Sequence, residues 1–112
     1  MLGWLKNLLG PAGPSLSPQE AQAKLKAGAI LLDVRTPYER KEVKIPGSKA
    51  MPLAELVKGW ESLPKDKEII CQCASGNRSR QAAAFLARKG YTAYTLSGGI
   101  EGWKKAGLPL KQ

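Results

Sequence analysis

Two tetrapeptides built alike, Ser17-Pro18-Gln19-Glu20 and Thr36-Pro37-Tyr38-Glu39, do most to restrict how this chain can fold. Each joins a hydroxyl that can cap a helix, a proline suited to the first helical position, and a glutamate able to reach back to the cap. The first predicts a helix that stops at Gly28, and the second opens a shorter one. Between them, Ala29 to Val34 is a short apolar run of the kind that forms a buried strand. The alternation then continues. Lys44-Ile45-Pro46-Gly47-Ser48 is turn material, Ala50-Met51-Pro52 can hold a brief strand, and a helix is expected from about Leu53 to Trp60. A strand follows from Lys67 to Cys71, then a helix stopped by Gly90, a strand from Thr92 to Leu96, and a last helix from Ile100 to Lys105. Strands alternating with helices predict an α/β domain around a parallel sheet, and 112 residues accommodate one such domain.

That domain is expected over residues 17–110, preceded by an apolar segment and a Gly/Pro linker over 1–16. The linker runs through Gly10-Pro11-Ala12-Gly13-Pro14-Ser15. Residues 1–9 are far too short to span a bilayer, which takes about 20 residues. They also lack the basic start of a secretory signal. Trp4, Leu5, Leu8 and Leu9 can share one helical face, so the segment is read as a short apolar helix that packs on the domain, with docking to a partner or a membrane surface as the disfavoured alternative.

The chemistry concentrates in Cys73-Ala74-Ser75-Gly76-Asn77-Arg78-Ser79. The heptapeptide follows an apolar strand and precedes a helix, so Cys73 falls at the carboxyl end of a strand in a parallel sheet, where such folds bind ligands. Amides from Ala74 to Ser79 can curl toward the sulfur at the positive end of the helix and lower its pKa. Gly76 suits the curl because one residue must adopt positive φ. From spacing alone, the competing reading is a buried cysteine beside an ordinary turn.

Composition narrows the choice. Cys71 and Cys73 are the only cysteines and lie too close together to staple distant segments, which points to a reducing, cytoplasmic setting. The chain has no histidine, so neither a Cys-His nucleophile nor a zinc site of the usual spacing can be assembled, and no metal or cofactor is expected. Eighteen Lys and Arg against nine Asp and Glu give a net charge of +9, which favours anionic substrates or acidic partners. The basic residues are dispersed and aromatics are few, so nucleic acid is not expected.

Four motifs in order resemble the single-domain rhodaneses, a family of sulfurtransferases: Leu32-Asp33-Val34-Arg35 with Glu39, then Ile45-Pro46-Gly47-Ser48, then the Cys73 loop, then Gly98-Gly99 with Trp103 and Gly107-Leu108-Pro109. The resemblance covers about Ser17 to Leu110. It implies a small, mostly parallel five-stranded sheet flanked by helices, with Cys73 carrying a persulfide inside its loop amides. Three departures stand out. Val43-Lys44 replaces the family's Gly-His before Ile-Pro-Gly, Ala74 replaces the frequent Arg or Lys after the cysteine, and Cys71 is an additional thiol. Cys71 is assigned a buried, structural place against the helices.

The resemblance implies a sulfurtransferase in which the Cys73 thiolate takes sulfane sulfur from thiosulfate or a persulfide and yields it to a thiol or a protein acceptor. Ala74, Ser75, Gly76, Asn77, Arg78 and Ser79 are the expected substrate-binding loop, with Arg35 able to face substrate and Asp33 supporting the site. Arg78 can guide an anionic donor or fix the loop by bonding backbone carbonyls, and Ser79 is expected to cap the helix. Trp103 is expected in the core or the cleft wall. A non-catalytic rhodanese-like binding module is the alternative from another class. A cysteine phosphatase or arsenate reductase is disfavoured, because its motif places five residues between cysteine and arginine. Here Cys73 and Arg78 have four between them.

Overall fold

A computed structural model describes residues 14–112, and the apolar segment 1–9 lies outside them. Five strands form one sheet: β1 (Ser15–Leu16), β2 (Ile30–Asp33), β3 (Lys49–Ala50), β4 (Ile69–Gln72) and β5 (Ala93–Leu96). Their order across the sheet is β1-β5-β4-β2-β3, and all four pairings are parallel. The expected mixture of directions is therefore corrected. The only antiparallel pairing among the described residues is an isolated bridge between Lys44 and Lys111, whose amides and carbonyls exchange bonds of 2.8 Å.

Both capping boxes form. Ser17 opens α1 (Pro18–Lys26) with Glu20 bonded back to it, and Thr36 opens α2 (Pro37–Glu42) with Glu39 in the same role. The remaining helices are α3 (Leu53–Gly59), continued by a 3-10 turn over Trp60–Ser62, then α4 (Asn77–Arg88) and α5 (Gly99–Lys105). Among the described residues no helix is long and apolar enough to cross a membrane.

Central strands β2 and β4 are buried on both faces, so their sequences read as continuous apolar runs without alternation. Leu32, Ile69 and Cys71 pack with Leu56 of α3 and with Ala82, Ala83 and Leu86 of α4. On the other face, Leu31, Ile70 and Leu96 pack with Ala21 of α1 and with Ile100 and Trp103 of α5. Trp103 is thus a core residue, and its indole N–H donates to the Pro109 carbonyl at 2.7 Å.

Ser15 and Leu16, placed in the linker by the sequence reading, form the edge strand β1. Ser97 N–H donates to the Leu16 carbonyl at 2.8 Å, and the Ser15 and Thr95 hydroxyls meet at 3.1 Å. Two residues carry no periodicity of their own, and it is the open edge of β5 that makes them a strand.

Candidate active site

Register places the site. Asp33 at the end of β2 pairs with Gln72 at the end of β4, so the chain leaves both strands at one level, with Cys73 next in sequence. The Cys73 side chain is 1% exposed and points to the same face as Cys71, toward α4. Gly76 caps α4 with φ +117°, a conformation that only glycine adopts without strain. This turn swings its own amide to 3.0 Å from the Cys73 sulfur, and the Ser79 amide reaches it at 3.4 Å.

The electrostatic consequence is a contest. Burial pushes the Cys73 thiol up, while bonds from Ser79, Gly76 and Ser75 favour the thiolate, and the balance falls below the ordinary cysteine value. Cys71, two residues earlier, has burial without the donors and the neighbouring Cys73 charge besides, which push it up to about 12. Two thiols two residues apart, one in β4 and one just beyond it, are therefore shifted in opposite directions. Cys71 sits fully buried among apolar side chains, the structural place expected for it.

The loop residues divide by what they contribute. Ala74 and Ser75 offer backbone only; the Ser75 amide is directed at sulfur, and its side chain is exposed. Asn77 is exposed on α4 and accepts from Arg80 at 3.1 Å, so its side chain is turned to the helix surface. Ser79 is not the cap. It lies at the third helical position, fully buried, with its hydroxyl donating to the Gly76 carbonyl at 3.0 Å, and so it braces the turn from inside. Arg78 bonds no backbone carbonyl among the described residues. Its two terminal nitrogens hold the two oxygens of Glu39, at 2.7 and 2.8 Å, and this pairing brings Glu39 to about 2.

Arg35 is committed to internal partners. It is 3% exposed, and its guanidinium donates to Asp33 at 3.0 and 2.9 Å and to the Val43 carbonyl at 2.7 Å. The fully buried Asp33 carboxylate also accepts from the Arg35 amide and from Arg40, which in turn holds Ser48. A carboxylate removed from water needs such partners, and these two arginines are consumed in supplying them. Asp33 thus pins the segment that follows β2 and, through Arg40, the turn before β3.

Two contributors carry no site role in the sequence reading. Glu39 appears there as a capping residue and in the first resemblance motif, and its link to the loop is hidden because that partner is 39 positions away. Gly99 appears there only within the Gly98-Gly99 resemblance motif. Its φ is +60°, and a Cβ on it would lie 2.5 Å from the Ala74 carbonyl oxygen and press on that of Cys73. The start of α5 therefore closes directly over the loop, with the Ile100 amide donating to the Cys73 carbonyl at 2.9 Å.

Comparison with known proteins agrees with this geometry. Residues 17–106 match the family described as Rhodanese-like domain. A sulfurtransferase of Allochromatium vinosum is 38% identical over 82 residues, covering 72% of this chain and 77% of that protein. The thiosulfate sulfurtransferase GlpE of Pseudomonas syringae is 33% identical over 90 residues, covering 80% and 85%. Among solved structures, a rhodanese-related protein from Thermoplasma volcanium superposes with a TM-score of 0.83 at 34% identity, covering 88% of this chain and 98% of that one.

Proposed function

The chain belongs to the rhodanese family and is a sulfurtransferase, and on that premise we propose that Cys73 is the residue that carries the sulfur. The observation that supports this most strongly is the pair of amides aimed at its sulfur, from Gly76 at 3.0 Å and Ser79 at 3.4 Å. They favour the thiolate before reaction and receive a persulfide anion after it, as an oxyanion hole receives oxygen.

In the first half-reaction the Cys73 thiolate attacks the outer sulfur of thiosulfate. The S–S bond of the donor breaks, sulfite leaves with the bonding pair, and Cys73 holds the outer sulfur as a persulfide anion. In the second, a nucleophile attacks that outer sulfur and Cys73 departs as a thiolate. A thiolate acceptor becomes a persulfide and cyanide becomes thiocyanate. Neither step needs a general base, because both nucleophiles are already ionised and both leaving groups are stable anions; a chain without histidine can perform it.

Within this reading, donor binding falls to the backbone amides of Ser75, Gly76 and Ser79 and to the field of the α4 N-terminus. Arg78 acts as a brace whose charge is already shared with Glu39. The lack of a basic residue at Ala74 leaves a persulfide donor as suitable as thiosulfate. Two free cysteines fit a reducing compartment such as the cytoplasm. Steady-state thiocyanate formation from thiosulfate and cyanide tests the assignment. Turnover by the wild type that disappears in Cys73→Ser and persists in Cys71→Ser is expected, and turnover surviving in Cys73→Ser would remove Cys73 from the mechanism.

A further inference from the structure

At the same end of the sheet as the cysteine loop lies a groove of about 390 Å³ whose apolar lining comes from Pro37, Ala50 and Pro52. These residues follow β2 and end β3, and the sheet order β4-β2-β3 puts the groove about two strand spacings, roughly 10 Å, from the strand that carries Cys73. β3 is an edge strand with no strand beyond it among the described residues. Asp33 pairs with Ala50 and accepts from the Met51 amide, so the N–H and C=O of Ala50 point away from β2 toward that edge.

The groove is also cationic. Arg35, Arg40, Lys41 and Lys44 line it against one carboxylate, Glu55. Arg35 and Arg40 share Asp33, whereas Lys41 and Lys44 have no ion-pair partner among the described residues. With Asp33 and Glu55 both counted, a surplus of two positive charges remains. Tyr38, next to Pro37, is 76% exposed, and an aromatic ring in that position is the kind of side chain that anchors protein interfaces. A small donor such as thiosulfate has no use for an apolar lining or a free strand edge.

We propose that this groove docks the protein that accepts sulfur from Cys73, holding an extended acidic segment of it with an apolar residue against Pro37, Ala50 and Pro52. The proposal rests on the persulfide reading above and names the acceptor as an acidic protein. Lys41 and Lys44 supply the charge, the Ala50 backbone supplies one donor and one acceptor, and the acceptor's thiol is delivered to the adjacent loop.

The probe is a fluorescent, cysteine-free peptide of glutamates around a single leucine, compared with its glutamine counterpart by anisotropy on the full chain at low salt. About tenfold tighter binding of the glutamate peptide is expected, weakening as salt is added. Lys41→Glu/Lys44→Glu should abolish that preference and Lys41→Gln/Lys44→Gln should reduce it. Lys26→Glu/Lys67→Glu, the same change of net charge at the other end of the sheet, should leave most of it. No preference in the wild type, an unchanged preference in both groove variants, or equal losses in the groove and distal glutamate variants would overturn the proposal. Binding is read on unloaded protein, so failure of thiosulfate to load Cys73 would count against the persulfide reading alone.

Discussion

Arg78, in the cysteine loop, grips both carboxylate oxygens of Glu39, the residue that also completes the capping box of α2. A single glutamate therefore ties the segment after β2 to the loop after β4. The pair is about one-third exposed at each end, so its worth lies more in geometry than in energy.

Glu39→Gln should cost about 1 kcal/mol or less, because glutamine can still cap α2 while losing the charge. The folded-state pKa of Glu39 is near 2, depressed chiefly by Arg78 and below the ordinary carboxylate value of 4.5. Its stabilising effect is thus complete above about pH 4.5 and lost as pH falls toward 2. Urea midpoints measured across that window should fall less steeply in Glu39→Gln than in the wild type, and parallel curves would contradict the pairing.

The two thiols should separate in alkylation experiments. Iodoacetamide is expected to modify Cys73 in the native protein, with a rate that rises through a midpoint below the ordinary cysteine value. Cys71, pushed up to about 12 where Cys73 is lowered, should react only after unfolding. Peptide mapping that finds Cys71 labelled first would reverse the assignment of roles.

Gly99→Ala should impair catalysis as well as folding. The added methyl would meet backbone carbonyls of Cys73 and Ala74, which cannot swing aside as a side chain can. A loss of about 1–3 kcal/mol is expected, together with a fall in turnover on the order of 10- to 100-fold from loop displacement. Gly47→Ala provides the contrast, since φ is +81° there but nothing lies within 4 Å of the new methyl. It should lose stability with turnover largely retained; equal loss of turnover in both variants would show that Gly99 has no special contact with the loop.

Gln72→Met probes the residue just before Cys73. Its amide is completely buried, and neither its oxygen nor its nitrogen has a hydrogen-bond partner among the described residues. Replacing it with an apolar side chain of similar length should raise stability by about 1 kcal/mol, because both unsatisfied atoms are removed. A lower urea midpoint would mean that the amide is satisfied in solution.

What was legible in the sequence was local. The capping boxes at Ser17 and Thr36, the positive φ of Gly76 and the placement of Cys73 between strand and helix each depend on a few neighbouring residues, and each has the predicted form. What escaped depends on partners far along the chain. Ser15 and Leu16 become a strand only because β5 offers an edge, and Glu39 meets Arg78 only because β2 and β4 are neighbours in the sheet. The pairing of Arg35 with Asp33 is likewise hidden in the sequence, because the burial of that carboxylate depends on the elements packed around the end of β2. Ser79 suits a cap by residue type, but the helix starts two residues earlier, with Gly76 as its cap, and leaves the Ser79 hydroxyl inside the turn.

Intact mass spectrometry after incubation with thiosulfate and removal of excess donor tests the central claim most directly. The wild type and Cys71→Ser should each gain the mass of one sulfur atom and lose it on addition of cyanide, while Cys73→Ser should show no gain. Loading that persists in Cys73→Ser, or no loading of the wild type by either thiosulfate or a persulfide donor, would contradict a Cys73 persulfide.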